Sequence, residues 1–164
     1  LLSELNYSIS PTTFTQALSN WSWPGRFQRL PGPAPVLIDG AHNPHAIESL
    51  LQSTKQSYNN SPLHVVFSAL NTKPAEKMLN ELQKNSESLH LCPCSVPNSM
   101  TVDQLTQFKS SKCHISPTPQ HALMSAKAKA TNSQGLVLVT GSLFLVADIL
   151  HLETNQTRDP AIAS

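Results

Sequence analysis

The sequence predicts an α/β protein with a mostly parallel sheet of about six strands, one antiparallel edge strand, and helices on both faces. Three observations carry this. Short β-branched runs alternate with segments of helical period along most of the chain. The runs are continuously apolar, as strands covered on both faces are. Helix-start residues follow several of them within a few positions, so each reads as a strand–loop–helix step with a right-handed crossover.

Taken in order, residues 1–20 carry a short apolar helix pattern (Leu1, Leu2, Leu5), then Ser10-Pro11 opening a second helix around Phe14 and Leu18. Trp21-Ser22-Trp23-Pro24-Gly25-Arg26-Phe27-Gln28 is a turn leading into an extended stretch. Leu30-Pro31-Gly32-Pro33-Ala34-Pro35 must turn again, because prolines remove ladder donors and glycine permits positive φ. A hairpin over 26–39 follows, supplying the antiparallel edge. The run Pro35-Val36-Leu37-Ile38-Asp39 is the first parallel strand. Asn43 then caps a helix with Pro44 in its first position and Ile47, Leu50 and Leu51 on one face.

Leu63 to Leu70 (LHVVFSAL) is the second such strand. Thr72 and Pro74 start a helix whose Ala75, Met78, Leu79 and Leu82 follow the helical period. Leu89 to Cys94 is a weaker strand, and Thr101 with Gln104 forms a capping box. Lys112 to Ser116 is extended, and Thr118-Pro119 opens an alanine-rich helix to about Ala130. Leu136 to Thr140 is the clearest strand. Gly141-Ser142 turns it into a helix with Leu143, Val146, Ala147 and Leu150 on one face. Together these elements make a Rossmann-like three-layer fold. The stretch 153–164 has no apolar period and is expected to be a flexible tail.

With 164 residues, 39% of them hydrophobic, the chain can bury one sizeable core. A formal charge of +1, with 13% charged residues and no basic run, offers no footprint for nucleic acid or an anionic membrane. A small neutral or anionic ligand is expected instead. No apolar stretch is long enough to span a bilayer, and residues 1–4 have no signal-peptide character, so a soluble, cytoplasmic protein is expected. Cys92, Cys94 and Cys113 are odd in number and match no common zinc spacing, which favours unligated thiols. The chain begins without methionine, inside what reads as a helix, and is expected to be a fragment.

In a parallel sheet, ligands collect beyond the carboxyl ends of the strands. Three of those ends are unusually polar: Asp39-Gly40-Ala41-His42-Asn43-Pro44, Asn71-Thr72-Lys73, and Thr140-Gly141-Ser142. Singly, each has a plain explanation: Asp39 as a turn cap, His42 as one of seven histidines, Ser142 as a helix cap. Neither G-x-G-x-x-G nor G-x-x-x-x-G-K-[ST] occurs, which argues against an autonomous nucleotide-binding domain.

The combination is more specific. Trp23-Pro24-Gly25-Arg26-Phe27-Gln28, Leu37-Ile38-Asp39-Gly40-Ala41-His42-Asn43-Pro44 and Val139-Thr140-Gly141-Ser142-Leu143-Phe144 resemble, in order and spacing, the folylpolyglutamate synthase/dihydrofolate synthase branch of the Mur ligase superfamily. The resemblance runs from about residue 10 to 150. The peptidoglycan-building relatives read D-D-Y-A-H-N-P at the second motif, whereas the folate branch reads D-G-A-H-N-P, as here.

The resemblance implies an ATP- and Mg²⁺-dependent ligase that activates a dihydropteroate or folate carboxylate as an acyl phosphate and joins it to L-glutamate. It assigns Arg26 and Asp39 to ATP, His42 and Ser142 to glutamate, and catalytic roles to His42 and Lys73, with no metal ligand in this chain. Where relatives carry D-K-D, this chain has Thr72-Lys73-Pro74, so the aspartate-dependent positioning of Lys73 is in question. Residues 1–20 are expected to end an upstream ATPase domain and its hinge, and 21–152 to form the C-terminal glutamate-ligase domain. That domain should pack against its own ATPase domain in a monomer and be inactive alone. The alternatives are a peptidoglycan-type ligase domain and a non-catalytic Rossmann-like binding module.

Overall fold

The computed structural model describes residues 10–19 and 23–154. The helix expected around Leu1, Leu2 and Leu5 lies outside the described residues. The helix opened by Ser10-Pro11 is α1 (Pro11–Ser19), its entry fixed by Thr13 N–H donating to Ser10 Oγ at 3.0 Å.

Six strands form one sheet in the order β1-β2-β6-β3-β4-β5. They are β1 (Gln28–Leu30), β2 (Val36–Ile38), β3 (Leu63–Phe67), β4 (Ser88–Leu91), β5 (Cys113–Ile115) and β6 (Leu136–Thr140). Only the β1–β2 hairpin is antiparallel, pairing Gln28 with Ile38; the remaining four pairings are parallel. The last of the described strands, β6, is therefore central. The fold is the expected mixed α/β sheet with its antiparallel edge.

Burial alternates between two layers, because successive strand side chains point to opposite faces. Leu37, Val65, Phe67, Leu89 and Leu138 pack under α2 (Pro44–Ser57), α3 (Ala75–Lys84) and α4 (Val102–Thr106). Val36, Ile38, Val66, Val137 and Val139 pack under α5 (Pro119–Ser133) and α6 (Leu143–Thr154). Each such fully buried side chain stabilises the fold by roughly 1.5–3 kcal/mol.

The helix starts follow the sequence with one exception. Asn43, Thr101 and Thr118 each accept a backbone N–H as predicted, and Gln104 completes the capping box. Thr72 does not cap α3. Its turn is closed by backbone alone, Lys73 N–H to Leu70 O at 3.0 Å and Ala75 N–H to Lys73 O at 2.8 Å, and the helix begins at Ala75. The run 63–70 also splits: the ladder stops at Phe67, and Leu70 instead bridges Ser99. At the other end α6 continues through Glu153 and Thr154, where Glu153 pairs with Lys127 of α5. Residues 155–164 lie outside the described residues.

Under α5 runs a polar chain the sequence did not announce. His64 Nδ1 is 2.8 Å from Ser88 Oγ and His64 Nε2 is 2.8 Å from Ser133 Oγ; Ser88 Oγ is 3.0 Å from His90 Nε2. The His90 and His114 rings lie 5.3 Å apart, and His90 Nδ1 is buried with no hydrogen-bond partner among the described residues. No helix among the described residues is long and apolar enough to cross a membrane.

Candidate functional site

The carboxyl edge of the sheet is built by locking three turns together. Asp39 leaves β2 with its own N–H bonded to Val139 O of β6 at 3.0 Å. Its carboxylate then takes two backbone donors: Phe27 N–H at 2.9 Å on Oδ2 and Ala41 N–H at 2.8 Å on Oδ1. Charge-assisted bonds of this kind are about twice as strong as neutral ones. They support an unfavourable backbone, since Phe27 sits at φ 43°.

The preceding turn is closed by Arg26 N–H to Trp23 O at 3.1 Å and Gly25 N–H to Gln28 Oε1 at 2.8 Å, and Gly40 N–H ties back to Gly25 O at 2.9 Å. Gly25 must be glycine: at φ 75° it lies against α6, where a Cβ would stand 2.7 Å from Val146 Cγ1. The consequence is that Arg26 projects, exposed, from a turn with little freedom. With Phe27, Asp39 and Ala41 it lines an open recess of about 540 Å³ that extends along α2 past Ser49 and Ser53.

His42 is half-buried and follows Ala41, which lines this recess. Its Nδ1 lies 2.8 Å from Gly40 O. A carbonyl can only accept, so Nδ1 carries the proton and a neutral ring keeps Nε2 as an acceptor. The Asp39 and Gly141 turns are also joined directly, through Gly141 N–H and Thr140 Oγ1 donating to Ala41 O at 2.8 and 3.2 Å.

Ser142 is 3% exposed. Its Oγ accepts Phe144 N–H at 3.2 Å and lies 3.8 Å from Cys94 Sγ. Gly141 has φ 100°, and a Cβ there would overlap Ser68 O and the Phe67 ring. Gly141→Ala should therefore lower stability by about 2–4 kcal/mol, read as a drop in thermal midpoint. An unchanged midpoint would show that the turn yields freely.

The structure thus ties the turn that carries Arg26 to Asp39, keeps His42 on the loop that follows, and joins the Gly141-Ser142 turn to that loop through Ala41. Lys73 stands apart: it lines a second recess of about 420 Å³ with Asn71, Met100, Gln104 and Phe108. Sequence reasoning passed over Ser95 and Asp148, which bond between the β4 loop and α6. The available signal was an acid inside the apolar stripe Leu145, Val146, Ile149. Among the described residues no three His, Cys, Asp or Glu side chains converge to hold a metal. Cys113 packs on the α2–α3 face while Cys92 and Cys94 pack on the other, so the three thiols cannot share an ion. Burial pushes the Cys92 thiol well up and that of Cys113 up to about 11, leaving both protonated.

The family model of the Mur ligase glutamate ligase domain matches residues 25–143, from the Gly25 turn to the start of α6. The chain belongs to that family. The matched span of this glutamate ligase domain contains Arg26, Asp39, His42, Lys73 and Ser142. Its relatives include the dihydrofolate synthase/folylpolyglutamate synthase of Bacillus subtilis, 32% identical over 142 residues, which cover 86% of this chain and 33% of that protein. The solved bifunctional folylpolyglutamate synthase/dihydrofolate synthase of Yersinia pestis, complexed with AMPPNP and Mn, superposes with a TM-score of 0.79 at 27% identity, covering 92% of this chain and 37% of that one. The Mycobacterium tuberculosis folylpolyglutamate synthase complexed with ADP and AMPPCP shares the fold, with a TM-score of 0.84 at 18% identity over 96% of this chain and 38% of that one. The domain spans about a third of the length of these relatives.

Proposed function

We propose that this glutamate ligase domain serves an ATP- and Mg²⁺-dependent ligase that adds L-glutamate to dihydropteroate or folate through an acyl phosphate. The observation that carries the reading is the double backbone clamp of Asp39. It holds the turn from which Arg26 projects, exposed, at the recess, and His42 follows on the same loop. A guanidinium so placed fits the triphosphate: it neutralises charge that develops on the transferred phosphoryl group. Asp39 orients the turn against ATP. Metal ligation is assigned to the upstream ATPase domain, with no ligand in this chain.

His42 and Ser142 receive glutamate. In this reading Nε2 of His42 takes the proton of the attacking amine, and Ser142, at the start of α6, offers a hydroxyl to a carboxylate. Lys73 completes the set from its own recess and reaches the acyl phosphate only on domain closure. The exposed apolar side chains Trp23, Phe27 and Leu143 at this edge support packing against an ATPase domain, with residues 1–20 as the end of that domain and the hinge. The whole enzyme is proposed to be a cytoplasmic monomer.

The test is ATP-dependent incorporation of glutamate into dihydropteroate and into folate, comparing the complete ligase with the 164-residue chain. Turnover is expected from the complete enzyme alone. Activity of the isolated chain would refute the dependence on an ATPase domain. Turnover only with a UDP-linked muramoyl peptide would reassign the enzyme to peptidoglycan synthesis, and no turnover with any acceptor would favour a binding module.

A further inference from the structure

The loop after β4 is stitched to α6 at two points. The Cys94 thiol, 6% exposed, lies 3.4 Å from Ser99 Oγ and 3.8 Å from Ser142 Oγ, while Cys94 N–H donates to Ser99 Oγ at 2.9 Å. One residue on, Ser95 N–H donates to Asp148 Oδ2 at 2.9 Å and Ser95 Oγ donates to Asp148 Oδ1. Asp148 is 5% exposed, in the middle of α6.

A carboxylate in that place gives up hydration, and a leucine would fill the apolar stripe at lower cost. What Asp148 adds is a fixed position for Ser95, and so for Cys94, the residue that walls the Ser142 hydroxyl. The other side of the same turn is already rigid, because Gly141 is wedged against Ser68 O and the Phe67 ring. Ser142 accepts Phe144 N–H and so keeps its own proton to donate. The acceptor facing it is a thiol sulfur, a weak one. A carboxylate oxygen arriving there would be a far stronger acceptor and would take the proton from the sulfur.

We propose that Asp148 is a positioning residue for the glutamate site: by clamping Ser95 it holds the Cys94 wall against Ser142, keeping the hydroxyl aimed and displaceable by a carboxylate. This rests on the assignment of Ser142 to glutamate made above. Cys94 is then a placeholder for the incoming carboxylate, and the β4 loop sets how deeply that carboxylate seats.

The test is steady-state phosphate release by the complete ligase, with glutamate varied at saturating ATP and pteroate acceptor. Asp148→Ala is expected to raise KM for glutamate about tenfold while leaving KM for ATP within about twofold, since only hydrogen-bond positioning at one substrate is lost. Asp148→Asn, which keeps one acceptor oxygen, should give a smaller rise. If Asp148→Ala fails to fold, Ser95→Ala, on an exposed loop residue, is expected to raise KM for glutamate about threefold. An unchanged KM for glutamate in folded variants overturns the proposal, as does a parallel loss in every kinetic constant, which marks a general packing role. A complete wild-type enzyme without glutamate-dependent turnover overturns instead the functional reading on which the proposal stands.

Discussion

Replacing Asp39 with alanine should cost the complete ligase about a hundredfold in kcat/KM for ATP, while the sheet stays folded. The magnitude follows from what the carboxylate holds. Its two oxygens accept Phe27 N–H and Ala41 N–H, each bond to a charged group contributing about 1.5–3 kcal/mol. Without them Phe27 has no reason to stay at φ 43°, and the turn presenting Arg26 relaxes. A positioned charge on a transferring phosphoryl group is worth on the order of 10²-fold or more, and displacement by about 1 Å forfeits much of that. Asp39→Asn keeps one acceptor and should fall between the two. Arg26→Ala should match Asp39→Ala in kinetics while leaving the thermal midpoint unchanged, because Arg26 is exposed and Asp39 is structural. Wild-type kinetics for ATP in Asp39→Ala would detach the clamp from nucleotide binding.

Acid should weaken the domain through the histidine chain under α5. His90 is completely buried, and desolvation, reinforced by His114, Lys129 and His64, lowers its pKa from the ordinary 6.5 to about 4. His64 and His114 are lowered too, mainly by burial. Lys129 adds to both, Lys109 adds at His114, and Glu87 opposes the shift at His64. In the pH range between 6.5 and 4 the unfolded chain binds more protons at His90 than the folded one does. Stability is therefore fully present above about pH 6.5, falls as the pH drops towards 4, and levels off below that.

A shift of this size corresponds to about 3 kcal/mol, enough to lower the thermal midpoint by on the order of 10 °C. Melting the 164-residue chain at several pH values checks this. His90→Gln keeps a hydrogen-bonding side chain without titrating and should flatten most of the acid limb. An acid limb unchanged in that variant would place the sensitivity elsewhere.

The features readable in advance were those whose cause is local. Asn43, Thr101 and Thr118 announce helix starts because a cap bonds to backbone three residues away, and the run 136–140 announces a buried strand by composition. Thr72 failed as a cap for a reason that lies outside its neighbourhood: Leu70 is drawn to Ser99, and the chain turns there by backbone bonds. The same holds for the site. Arg26, Asp39 and His42 stand out by their type and spacing, but the clamp depends on a bond across twelve residues of hairpin. Ser142 reads as a helix cap, and that gives no sign of its enclosure by a loop from β4. The histidine chain spans three strands and a helix, and nothing in the spacing of 64, 90 and 114 reveals that they meet.

The place of β6 has a consequence for how the chain is made. Residues 136–140 join β2 to β3, and neither of those strands pairs with the other. During synthesis the β1–β2 hairpin and the β3–β4–β5 unit cannot be joined into one sheet until β6 leaves the ribosome, and each presents an unpaired apolar edge until then. Completing the sheet then rests on pairings such as Val36 with Val137 and Leu63 with Leu136, far apart in the chain, which close slowly. A chain terminated before residue 136 has no strand joining its two halves, which are left with the packing of α2 on α3 and the apolar layer they share.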